Sequence, residues 1–194
     1  MKQKPSSACI QESCQDCEII GKLMCRHTKQ DLLDFFILMI NLFVPFFGGM
    51  IVGEHWAGLI GWFALAVLFF GYFEALILCR HCPHYKEEGR TLRCHANWGL
   101  PKFPSYDPRP MNRFEQITWL IYTAVITLYW VPFFIYSKQW LFLGWASVSA
   151  FVSFYQLMRT KCSRCYMMSC PINRVPEDVK QVFFEYYPEH KPRG

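Results

Sequence analysis

Four cysteines arrive in two pairs of identical spacing, Cys79-Arg-His-Cys82 and Cys162-Ser-Arg-Cys165. A C-x2-C pair wraps one ion from a single turn of backbone, and two such pairs supply the four thiolates of a tetrahedral zinc site or an iron–sulfur cluster. The remaining six cysteines extend the pattern. Cys9, Cys14, Cys17 and Cys25 form a self-contained four-thiolate set near the start of the chain. Cys94 and Cys170, with His84 and His95, make a third candidate group, and His81 and His27 are spare nitrogen donors. Interleaved histidines favour zinc, which takes nitrogen and sulfur alike. The Cys82-Pro83 and Cys170-Pro171 steps suit a cluster, whose cysteines are often followed by proline.

The elements that carry these pairs are apolar. Residues 35–52, 56–78, 117–136 and 140–158 are each long and hydrophobic enough to cross a bilayer, and none shows the polar stripe of a soluble helix. Each C-x2-C pair closes one of these runs. The predicted fold is therefore an all-α integral membrane protein of four transmembrane helices in two hairpins. Its parts are a Cys-rich arm (1–30), a first hairpin (31–79), a Cys-, His- and Pro-rich loop (80–114), a second hairpin (115–160) and a Cys-rich tail (161–194).

Charge sets the expected orientation. Of the twenty lysines and arginines, five precede the first run, seven lie between the second and third, and seven follow the fourth. Only Lys138 falls in a turn on the opposite side. The positive-inside rule predicts that both termini and the middle loop face the cytoplasm, at the cell membrane. There the thiols are reduced and available to metal rather than paired as disulfides. The net charge of +5 is then a topology signal that suits anionic headgroups, not nucleic acid.

Finer marks follow along the chain. Phe43-Val-Pro-Phe-Phe47 echoes Trp130-Val-Pro-Phe-Phe134, suggesting a duplicated hairpin with a pseudo-twofold axis along the membrane normal. Pro45 and Pro132 are expected to kink their helices. Ala146, Ser149, Ala150 and Ser153 form a small-residue stripe that permits close helix approach. Four prolines between Leu100 and Pro110 predict an extended strap, and 176–186 reads as an amphipathic helix lying on the membrane surface. Glu74, near the end of the second run, is read as reaching water.

No phosphate loop, serine triad or zinc-hydrolase motif occurs. The Arg93-Cys94-His95 stretch lacks the Asp-His-His run of the protein S-acyltransferases, which also carry a cysteine-rich loop between membrane spans. The residues thus predict a membrane protein that binds metal, zinc favoured, through cytoplasmic Cys/His clusters, and serves assembly or interaction with a cytoplasmic or membrane partner. The alternative is an iron–sulfur subunit passing electrons between a soluble redox partner and a membrane carrier.

Overall fold

The computed structural model describes Cys9, Cys14 and residues 17–192, and among these the chain is helical, with one isolated bridge between Thr91 and Pro101. Helix α1 (Lys29–Val52) opens on a capping box in which Thr28 and Asp31 satisfy each other's backbone N–H groups. It passes through Pro45 without interruption. Helix α2 (Trp56–Leu68) leads into a π-helical turn (Phe69–Phe73) and the short α3 (Glu74–Ile77). The third run begins with a second capping box, Asn112 with Glu115, and is split into α4 (Arg113–Leu128) and α5 (Val131–Tyr136) just before Pro132. The Trp130 indole donates to the Thr127 carbonyl at the break, 2.7 Å away. Helix α6 (Trp140–Thr160) completes the bundle, and α7 (Glu177–Tyr186) lies in the tail.

Four helical stretches, Lys29–Val52, Trp56–His81, Arg113–Tyr136 and Trp140–Arg164, are long and apolar enough to cross a membrane. Large apolar side chains project outward along all of them, among them Ile60, Val67, Leu141 and Phe151, each more than two-thirds exposed. Water would penalise such a surface and hydrocarbon would not. This suits a multi-pass membrane protein.

The core inside the bundle is aromatic. Phe46, Trp62, Trp119, Trp130 and Phe134 are all buried, with Trp62 Nε1 donating to the Ile126 carbonyl across 3.0 Å. The most extensive pairing joins the first and last long helices, α1 and α6. There the predicted stripe of Ala146, Ser149, Ala150 and Ser153 is entirely buried, and Asn41 Nδ2 donates to Ser153 Oγ at 2.9 Å. Small side chains let the backbones close in, and an interhelical hydrogen bond replaces the water that lipid cannot provide.

At one end of the bundle two tight turns lie side by side. Glu54 and Lys138 both take φ near +56°, and each turn closes with the same three backbone bonds, to residues four, three and five positions earlier. His55 Nε2 meets Ser137 Oγ at 3.2 Å between them. The proline echo noticed in the sequence does not share this register: Pro45 precedes Glu54 by nine residues, whereas Pro132 precedes Lys138 by six. What matches between the halves is turn and thiol pair. Cys79–His81 and Cys162–Arg164 each form a single 3-10 turn, followed by an extended Cys82 or Cys165.

Candidate metal centre

The opposite end gathers the arm, the middle loop and the tail into one cap. Met24 N–H donates to the Arg164 carbonyl at 2.8 Å, and His84 Nε2 bonds the Met24 carbonyl at 2.9 Å. The proline strap crosses this cap as expected, pinned by Tyr85 Oη to the Pro104 carbonyl, by Asp107 to Arg80, and by Tyr106 Oη to His190. Its far end is held by Arg109, paired through two bonds to Glu115 at 2.7 and 2.6 Å. Helix α7 is present, but its apolar face does not lie free. Val179 and Phe183 pack with Ile19, Leu23, Tyr166 and Tyr187 in a second core, so the face expected to rest on the membrane is covered by the chain's own arm.

Under this cap lies a cavity of about 220 Å³, and the predicted ligands line it. Cys79 and Cys82 come from the end of the second span, Cys94 from the loop, and Cys162, Cys165 and Cys170 from the end of the fourth span and the tail. His84 and His95 line it too, so the third candidate group belongs with the two C-x2-C pairs rather than apart from them. One cysteine of each pair, Cys82 and Cys165, lies within electrostatic reach of the other. Burial raises the Cys82 thiol well above its ordinary range, and the next cause is the neighbouring Cys165. Burial likewise pushes Cys94 up to about 12 and Cys165 to about 11.

Three of these sulfurs already accept N–H groups. Asn97 gives its backbone N–H to Cys94 Sγ at 3.2 Å and its side-chain amide to Cys79 Sγ at 3.3 Å, while Met167 N–H points at Cys165 Sγ from 3.5 Å. Such donors orient thiolates and stabilise their charge when they hold an ion. The thiols ring the cavity rather than converge: among the described residues, no three Cys, His, Asp or Glu side chains stand close enough to grip an ion as placed.

The arm cysteines make a separate set outside this cavity. Cys9, Cys14 and Cys17 all lie within electrostatic reach of Cys25, whose thiol burial raises to about 11. Cys17 and Cys25 also pack on the second core beside Tyr166.

Several cavity residues escape sequence reasoning. His27, a spare by spacing alone, stacks near both His84 and His95, with ring centroids 4.6 and 5.3 Å away. His81 is not a donor at the site; fully buried, it bonds the Asp107 carbonyl and faces Glu115. Glu74 does not reach water. It is 7% exposed, lines the cavity, and faces the Asn97 amide and the Trp119 indole. Its only signal in the sequence is a carboxylate within an apolar run.

The imidazoles give a pH signature. Burial, reinforced by neighbouring His84 and His95, depresses His27 to about 3, and burial followed by Lys161 depresses His95 to about 4. Both stay neutral when folded, whereas the unfolded chain protonates them near 6.5. The stability they contribute is complete above pH 6.5 and is lost as pH falls toward 4 and then 3. Each steepens the decline by up to about 1.4 kcal/mol per pH unit. The unfolding midpoint of chelator-treated protein should fall across that window, and His27→Gln should shallow the slope. An unchanged slope would exclude His27 as the source.

Compared with known proteins, the chain matches no family, no curated protein and no solved structure.

Proposed function

We propose that this is a multi-pass membrane protein that binds a thiophilic metal at its cysteine-rich end, with zinc as the favoured ion. The observation that carries the reading is a shared enclosure. Six cysteines from the ends of two spans and from two loops, distant in sequence, line one cavity, and Cys82 and Cys165, one from each C-x2-C pair, lie within electrostatic reach of each other there. The sulfur-directed N–H groups and the neutral imidazoles are the surroundings such a site requires. An ion would draw the ringed thiols inward, displacing their protons.

The arm set of Cys9, Cys14, Cys17 and Cys25 is a second site in this reading. The cap faces the cytoplasm, in keeping with the lysine and arginine distribution, and the two hairpins relate by a pseudo-twofold axis that passes between the thiol pairs. Metal then clamps the second and fourth spans together and stiffens the cap as a surface for a protein partner. The role is assembly or scaffolding.

A second reading is favoured by the course of the cavity, which continues from the thiols past Glu74 to Phe69, Phe43 and Ile126 inside the bundle. An iron–sulfur cluster held at its mouth would stand beside the hydrocarbon, placed to exchange electrons with a membrane carrier. Metal analysis and an optical spectrum after anaerobic purification separate the two. Colourless protein with stoichiometric zinc is the expected result. Brown protein bleached by dithionite establishes the electron-transfer reading instead, and protein with neither metal sinks both.

A further inference from the structure

Nine buried side-chain polar atoms among the described residues have no hydrogen-bond partner, and six of them line the one cavity: His27 Nδ1, Glu74 Oε2, His95 Nδ1, Asn97 Oδ1, Trp119 Nε1 and Thr123 Oγ1. An unpaired polar group is costly where water is excluded, so such a concentration marks a place suited to a bound molecule. Two of the six, on Trp119 and Thr123, belong to α4; Glu74 lies near the end of the second span, and Asn97 comes from the middle loop that covers it. The π-helical turn at Phe69–Phe73 ends at Glu74, and such insertions commonly re-aim a side chain at a functional site.

The walls around these atoms are apolar and largely aromatic, with Phe43, Phe69, Phe70 and Phe154 among them. A second cavity, of about 320 Å³, lies between α4 and α6 and shares Trp119, Thr123, Thr127 and Phe154 with the first. Its other walls, Leu120, Leu128 and Phe151, are exposed on the outer surface of the spans. The two cavities thus adjoin at these shared residues, and the second opens between the third and fourth spans onto the outer surface.

We propose that this chamber binds an isoprenoid quinone, with the ring beside Glu74, Trp119 and Thr123 and the chain leaving through the α4–α6 gap. The Trp119 indole is a donor only and Thr123 also offers a proton, which suit a quinone carbonyl. The unpaired Glu74 Oε2 and Asn97 Oδ1 are acceptors, which suit the hydroxyls of the reduced quinol. A planar ring lies flat against the phenylalanines. A fatty acid would set a second carboxyl opposite Glu74 and force the two to share a proton. Diacylglycerol and sterols offer hydroxyls but no conjugated face. This inference goes beyond the metal reading and does not rest on it.

The test uses full-length protein in phosphatidylcholine nanodiscs free of quinone and a photoreactive azidoquinone with a short isoprenoid chain, the adducts being mapped by mass spectrometry. Labelling is expected within 119–128 and 150–157, competed by unmodified quinone and not by palmitate or diacylglycerol. Trp119→Phe should weaken binding about fivefold, the worth of one hydrogen bond. Ala124→Trp, which fills the exposed gap, should abolish labelling while leaving the unfolding midpoint unchanged. Labels spread evenly over the lipid-facing helices, or equal competition by palmitate, would overturn the proposal, as would full labelling of the Ala124→Trp protein. Metal content measured on the same samples keeps the two readings apart, since labelling can fail with zinc retained and the reverse.

Discussion

If the cap binds zinc as proposed, serine in place of Cys82 should lower its affinity for zinc by at least about tenfold to a hundredfold, the range already seen when only an outer partner of a ligand is lost. Serine at Cys165 does the same, and the double variant is little worse than either single one. The reason is geometric. Cys82 and Cys165 are each other's neighbours across the cavity although they close different spans. A tetrahedral site that loses one thiolate has already lost its closed shell, and the second loss removes what no longer binds. Cys25→Ser serves as the contrast: it belongs to the arm set and leaves the cavity metal in place. Zinc titration against a competing chelator checks all four proteins. Independent, additive losses at Cys82 and Cys165 would mean that the pairs serve separate ions.

The second large effect lies at the other end of the bundle. A methyl group on Gly49 would stand 2.4 Å from Phe134 Cζ and 3.0 Å from Phe142 Cβ. Phe134 is fully buried against Trp130 and Phe142, so its ring has nowhere to retreat. Gly49→Ala should therefore destabilise the bundle by about 1–3 kcal/mol through overpacking. Phe134→Ala should cost about 3–5 kcal/mol through the cavity it leaves. Combining Gly49→Ala with Phe134→Leu should recover part of the first loss, because the smaller side chain vacates the space the methyl needs. Unfolding in mixed micelles reads all three. If the pair is as unstable as the sum of its parts, the clash is not what excludes a side chain at position 49.

Much of this was legible from residue types alone. The four spans follow from apolar length, and the close α1–α6 contact from the stripe at 146, 149, 150 and 153. The starts of the second and fourth, at Trp56 and Trp140, were legible too. Those of the first and third were not, because Thr28 with Asp31 and Asn112 with Glu115 extend α1 and α4 into polar sequence by side-chain capping, which hydropathy does not register. The identical spacing of the C-x2-C pairs pointed to a shared location, and the cavity they line agrees with it. The fate of Glu74 was hidden, since whether a carboxylate near a helix end meets water depends on what covers that end. Here Asn97 and Trp119 do, from elements more than twenty residues away. The covering of α7 by the arm was equally unreadable: an apolar face declares that it needs a partner, not which one.

The pairing of α1 with α6 also orders events during synthesis. Helix α1 carries Asn41, yet the hydroxyl that satisfies it, on Ser153, is translated more than a hundred residues later. Until then α1 has an unmatched amide, and the α1–α6 pair cannot lock before α6 is made. A ribosome stalled before residue 153 would therefore hold α1 without its partner, and arrival of α6 would be the step that commits the pair.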